Sequence, residues 1–146
     1  MVSLAGEVLG ILMRWAHIAS ATVLLGGLIY ARMVAAAALP EPAEERAEAL
    51  ERLGSRFRPL VYAAIAGLVV SGLYNFLSQP GHTPSYHAWF GVKVLLALHV
   101  FAAAVLGVRS SRAGSEEEAK RLRRMSGAVI SGLAVILIAA YLRLIY

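Results

Sequence analysis

The stretch VLGILMRWAHIASATVLLGGLIY, residues 8–30, decides the fold of this chain. Its titratable residues are Arg14, His17 and the final tyrosine, and all the others are apolar or uncharged. A helix rises 1.5 Å per residue, so about 20 apolar residues cross the roughly 30 Å hydrocarbon core of a bilayer. The stretch therefore predicts a membrane-spanning helix.

Three further stretches have the same character: residues 60–77, 90–108 and 127–142, of which the last is completed by 125–145. They lack the alternation of barrel strands, and backbone groups cannot stay unpaired in hydrocarbon. A hydrophobic share of 59% and a mean hydropathy of +0.67 exclude an ordinary soluble domain. The predicted fold class is all-α, one integral membrane four-helix bundle over residues 1–146, with the lipid bilayer as its surroundings.

The basic residues are distributed by side of the membrane. Of the 14 Lys and Arg residues, five lie in 32–58 and six in 109–124, which predicts that these two connections are cytoplasmic. Both termini and the loop 79–89 are then outside. Because the net charge of +5 is not gathered on one face, nucleic acid is not expected as a partner. The predicted location is a bacterial inner membrane, with a homo-oligomer or a larger membrane complex left open.

Several kinds of chemistry are excluded by composition. The chain has no cysteine, so it has no disulfide, thiolate metal site or covalent c-type haem attachment. Asp is absent and all nine Glu lie outside the apolar stretches, so no carboxylate relay crosses the membrane. No basic residue precedes Arg14, and the first helix is therefore expected to differ from a cleaved secretory signal.

The connections between the apolar stretches have helical patterns of their own. Pro40 and Pro42 predict the end of the first helix near Leu39. Residues 43–56 predict a short amphipathic helix on the cytoplasmic surface, with Pro59 in the first turn of the second membrane helix. Residues 110–124 predict a cytoplasmic loop with a short helix whose acidic residues precede its basic ones.

Two histidines are the candidate ligands for a cofactor. His17 is nine residues after Val8 and His99 is nine residues after Phe90, each about 13 Å from the outer end of its segment at the helical rise. Imidazole is a common ligand of iron, zinc and copper, so histidines on the first and third helices are expected to hold a haem b iron between them. The alternatives are another metal, a role in proton transfer, or hydrogen bonds to a backbone carbonyl or to a hydroxyl such as Ser20, Ser71 or Ser131.

Three basic residues lie in the outer half, and Arg14, Lys93 and Arg143 are candidates to pair with haem propionates. Their alternative role is to anchor the helices at the lipid headgroups beside tryptophan and tyrosine. His82 and His87 in the outer loop are weaker candidates for a metal site, with solvated side chains as the alternative.

Two segments resemble a known superfamily. They resemble small membrane proteins with a copper-resistance CopD-like domain and the HemJ-type protoporphyrinogen oxidases. The first segment is Arg14-Trp15-Ala16-His17 followed by residues 25–30 (LGGLIY), and the second is Trp89-Phe90-Gly91-Val92-Lys93. The resemblance implies a four-helix haem b protein in which His17 matches the family's histidine and Lys93 its lysine. It implies a haem-binding branch rather than protoporphyrinogen oxidation, because no Asn-Glu-x-Pro-like motif occurs near the fourth helix.

Three functions remain open from the sequence. The first is a haem b protein in electron transfer or redox chemistry, with a quinone or a redox protein as partner. The second is a non-catalytic membrane subunit or scaffold, indicated by small residues at every fourth position of the second helix, Ala63, Gly67 and Ser71. The third is copper handling, in which Met13 would join the two loop histidines.

Overall fold

The chain forms four long helices. The computed structural model describes residues 4–40, 43–78, 84–109 and 115–145, and no strand occurs in these ranges. All four helices are long and apolar enough to cross a membrane, which confirms the predicted all-α membrane bundle. The side of the membrane on which the termini lie stays a prediction. The helices are α1 (Leu4–Tyr30), which continues into a π-helical turn (Ala31–Ala35), α2 (Ala43–Leu77), α3 (Pro84–Arg109) and α4 (Ser115–Ile145).

Consecutive helices are antiparallel neighbours. The most extensive contacts are α1 with α2 and α3 with α4, and the contacts of α2 with α3 and of α1 with α4 close the bundle. The helices therefore follow one another around a square, and α1 and α3 lie diagonally across it.

The two ends of the bundle differ in chemistry. At one end, which we call the basic end, Arg32 bonds Ser126, Arg46 bonds Glu118 and Arg58 bonds the Val108 carbonyl. At the other end, the aromatic end, the rings of Phe76 and Phe90 stack with centroids 4.4 Å apart, and Trp89 meets Tyr141 edge-on.

Helix α2 is one continuous helix, so the predicted separate surface helix at 43–56 is wrong. Pro59 lies inside α2 and withholds the N–H that would bond the Ser55 carbonyl. Packing on both sides of the proline holds the helix together, because Gly54 is buried against the Val108 carbonyl and Val61 is only 2% exposed. A pattern of local residues cannot reveal such tertiary support.

The short helix predicted within 110–124 is helical, but it is not separate, because it forms the start of α4. Helix α4 begins at Ser115, so the acidic run of residues 116–118 occupies its first turn and the basic residues follow in the same helix. Negative charge near a helix N-terminus is favourable. The ion pair of Glu118 with Arg46 of α2 joins this first turn to the bundle.

The core combines small residues with a few large ones such as Leu24, Leu28 and Met125, while many other large apolar side chains face outward. Buried residues include Ala64, Ala104 and Ala128, whereas Leu137 is 71% and Trp15 is 68% exposed. This distribution is expected in a bilayer, because lipid is as apolar as leucine and helices associate through close packing of small residues. The exposed apolar surface is compatible with contact to lipid.

Candidate functional site

His17 of α1 lies half-buried against α2 and is held by a buried serine. Its Nδ1 atom is 2.9 Å from Oγ of Ser71, which is 1% exposed and is among the hydroxyls expected from the sequence. Ser71 donates its single proton to the Gly67 carbonyl, so its oxygen accepts from His17. The hydrogen-bond network thus assigns the proton to Nδ1 and leaves the lone pair on Nε2.

The imidazole of His17 lies close to the backbone of α2. A Cβ atom on Gly72 would lie 3.3 Å from Cε1 of the ring, tighter than an ordinary contact. Glycine at position 72 therefore provides the space for this imidazole. Gly72 was not among the residues expected at the site, although its place after Ser71 in a ridge of small residues would have indicated it.

Lys93 of α3 is the charged residue whose side chain interacts electrostatically with His17. It is half-buried, its charge acts on the His17 imidazole, and it makes no hydrogen bond or ion pair with the part of the chain that the structure describes. We call His17, Ser71, Gly72 and Lys93 the His17 cluster. Sequence analysis named both His17 and Lys93, but only the fold brings them to one level.

His99 belongs to a different part of the bundle. It is exposed on α3, and its Nε2 atom would be 3.6 Å from a Cβ atom on Gly127 of α4. Ser126, which precedes that glycine, is occupied elsewhere, because its hydroxyl accepts from Arg32 and donates to the Leu122 carbonyl. A serine-glycine pair therefore faces each histidine, but only Ser71 bonds the ring that it faces.

The predicted equal depth of the two histidines is wrong. Gly72, the neighbour of His17, lies one turn from Phe76, whose partner on α3 is Phe90. The level of His17 on α3 is then near Lys93, and His99 is six residues, about 9 Å, farther along that helix. Contacts on α4 point the same way. Gly132 of α4 meets Leu25, which follows His17 in α1 toward the basic end, whereas His99 meets Gly127, which is nearer still to the basic end.

A shift of α1 along its axis explains the difference in depth. His17 is 13 residues after the first residue of α1, yet its partner Gly72 is only five residues before the end of α2. The first turns of α1 therefore extend past the end of α2, and Leu4 is 79% exposed there. Two nitrogens that share one metal ion lie about 4 Å apart, twice a bond of about 2 Å. The arrangement does not bring His17 and His99 to one iron.

The remaining candidates are Arg14, one helical turn from His17, Arg143 and His87, and one histidine outside the described residues. Arg14 and Arg143 are exposed, and His87 is exposed beside Phe76, with ring centroids 6.3 Å apart. His82 lies outside the described residues, so the copper site with His87 stays a prediction. Within the described ranges, no three His, Asp or Glu side chains form a group that could hold a metal ion.

Comparison with known proteins gives one bacterial relative. The chain is 35% identical over 78 residues to an uncharacterized protein of Aquifex aeolicus (strain VF5), and the alignment covers 52% of this chain and 54% of the relative. The chain thus spans about half the length of the curated relative it matches. No protein-family model matches the chain, and no solved structure matches it.

Proposed function

We propose that this chain is a haem b protein of a bacterial inner membrane that takes part in electron transfer, with His17 as the iron ligand. The observation that carries the proposal is the 2.9 Å contact between Nδ1 of His17 and Oγ of Ser71, whose own hydroxyl donates to the Gly67 carbonyl. This pair of contacts assigns a proton to Nδ1 of His17. A histidine that binds a metal typically donates its other ring N–H to a fixed acceptor, which sets the tautomer and orients the ring. His17 has this arrangement within an apolar bundle.

The other members of the His17 cluster suit the same cofactor. Haem b, when bound, supplies a one-electron iron couple and carries two propionates. Lys93 offers a half-buried positive charge without an anionic partner among the described residues, and a propionate would neutralise it. Arg14 is one helical turn from His17 toward the aromatic end and provides a second cation at the surface.

The position of the cluster bears on the electron partners. Gly72, which contacts His17, is only five residues from the end of α2, so the cluster lies within about 8 Å of that end. A redox protein at the aromatic end and a quinone in the bilayer are therefore the proposed partners.

The two histidines allow a matched test. The full-length protein is purified in detergent, and its haem is measured from oxidised and reduced absorption spectra. We expect a b-type spectrum in wild type, its loss in His17→Ala, and its retention in His99→Ala, because only His17 has a fixed tautomer in the cluster. Circular dichroism checks that each variant keeps its helices.

Two results would contradict the proposal. Full haem content in His17→Ala would show that His17 is not the iron ligand. A wild-type protein that stays colourless after incubation with haemin would show that it does not bind haem. Equal loss of haem in both variants would restore the shared-iron arrangement that the structure does not support.

A further inference from the structure

A second feature, remote from the His17 cluster, is an open cavity at the basic end. Its wall is almost entirely apolar and is formed by residues of all four helices, among them Leu28, Phe57, Val108 and Met125. The π-helical turn after α1 contributes small side chains to the wall, including Ala35. In a π-helical turn the backbone hydrogen bonds join residues i and i+5 rather than i and i+4, so the helix is wider there. The wall thus encloses an apolar space at this end of the bundle.

Arg121 of α4 lies in the wall of this cavity with an unused donor. Its Nε atom is enclosed and has no hydrogen-bond partner in the part of the chain that the structure describes. An unpaired buried donor is costly, and nearly all such groups have a partner in folded proteins. The guanidinium in the cavity wall therefore has one enclosed donor that protein atoms of the described residues do not satisfy.

The carboxylate beside Arg121 is already engaged. Glu118 also lines the cavity, but both of its oxygens accept from Arg46. The group of Arg46, Glu118 and Arg121 then carries two positive charges and one negative charge. One further anionic group would neutralise the mouth of the cavity, and a guanidinium binds phosphate through well-directed, charge-assisted bonds.

We infer that this cavity binds an anionic phospholipid, with the phosphate at Arg121 and part of an acyl chain against the apolar wall. A single negative phosphodiester matches the surplus charge, and the acyl chain matches the lining. Basic pockets between membrane helices are known to take anionic headgroups in this way. The inference is independent of haem, because the cavity begins at Gly27, ten residues or about 15 Å from His17 along α1.

Lipid retention measured by native mass spectrometry tests the inference. The delipidated full-length protein in neutral detergent is incubated with phosphatidylglycerol or phosphatidylcholine of identical acyl chains. We expect wild type to retain phosphatidylglycerol at least about 10-fold better, since a charge-assisted hydrogen bond to a buried group has an effect of this size. Arg121→Gln should abolish this preference, and Arg121→Lys, which keeps the charge, should retain most of it.

Two controls separate the cavity from general attraction to a basic surface. Arg124→Gln removes an exposed charge one turn away in the same helix, and it should keep the preference. Ala35→Phe narrows the cavity without changing charge, and it should reduce the retention of phosphatidylglycerol at least several-fold. Circular dichroism checks that both variants keep their helices.

Three outcomes would overturn the inference. They are equal retention of the two lipids by wild type, an undiminished preference in Arg121→Gln, and displacement of the lipid by millimolar inorganic phosphate. The last outcome would identify a site for free phosphate rather than for a lipid.

Discussion

At the scale of single residues, the hydroxyl of Ser71 determines which nitrogen of His17 carries a proton. It accepts from Nδ1 and donates to Gly67, and among the described residues it is the hydroxyl that bonds this ring. Replacing this serine therefore changes the chemistry of the histidine without touching the imidazole itself.

We expect Ser71→Ala to leave a half-buried N–H on His17 without its partner. The free energy of unfolding should fall by about 1–3 kcal/mol, the cost of an unsatisfied buried polar group, and haem content should fall with it. Ser20→Ala is the matched control, because Ser20 also meets α2, at Gly67, but is not bonded to His17. Denaturation in detergent and the haem-to-protein ratio measure both effects, and equal losses in the two variants would refute the role of Ser71.

Sequence analysis singled out His17 and Lys93, which the fold brings to one level, but it expected His17 and His99 at equal depth, and the helix contacts place them apart. A lone titratable side chain in an apolar helix is visible from composition alone. The depth of that side chain in the bundle is not visible from the sequence. Counting residues from the end of an apolar segment assumes that all helices begin at one level. The axial shift of α1 follows from side-chain contacts such as His17 on Gly72, and no local pattern records it.

At the scale of elements, α1 and α2 approach each other closely where two adjacent glycines differ in their surroundings. A Cβ atom on Gly27 would clash with the Phe57 ring, whereas one on Gly26 would meet nothing within 4 Å. Small residues allow such approaches between membrane helices. Substitution at Gly27 therefore tests how closely the helices pack, and substitution at Gly26 tests helix propensity alone.

We expect Gly27→Ala to destabilise the bundle by about 1–3 kcal/mol, the usual cost of overpacking. Gly26→Ala should be neutral or stabilising by up to about 1 kcal/mol, because alanine is the better helix former. Thermal unfolding in detergent compares the two variants. The double variant Gly27→Ala with Phe57→Leu should recover part of the loss, and a Gly27→Ala protein as stable as wild type would show that the helices are farther apart.

The four apolar segments and their helical state followed from the sequence, but the extent of α2 and α4 did not. Pro59 is a helix breaker by local rules, and its cost in α2 is offset by the burial of Gly54 and Val61 on either side. Tertiary contacts of this kind override local propensity.

At the scale of the whole molecule, the charges at the basic end predict the orientation in the membrane. The chain has no native cysteine, so single cysteines report topology directly. Glu48→Cys, exposed near the start of α2, should react with a membrane-impermeant maleimide only after cells are permeabilised. Ser78→Cys, exposed beyond the end of α2, should react in intact cells, and the opposite pattern would invert the assigned orientation.

The pairing of α1 with α2 and of α3 with α4 has a consequence for biosynthesis. Each pair is a hairpin of neighbouring segments, and its internal contacts exceed those between the hairpins. Contacts between residues near in sequence form early and rapidly. We therefore expect the first hairpin to form its principal contacts, including that of His17 with Ser71, before the second hairpin is complete. On this expectation, the haem proposed above could enter at His17 before synthesis ends.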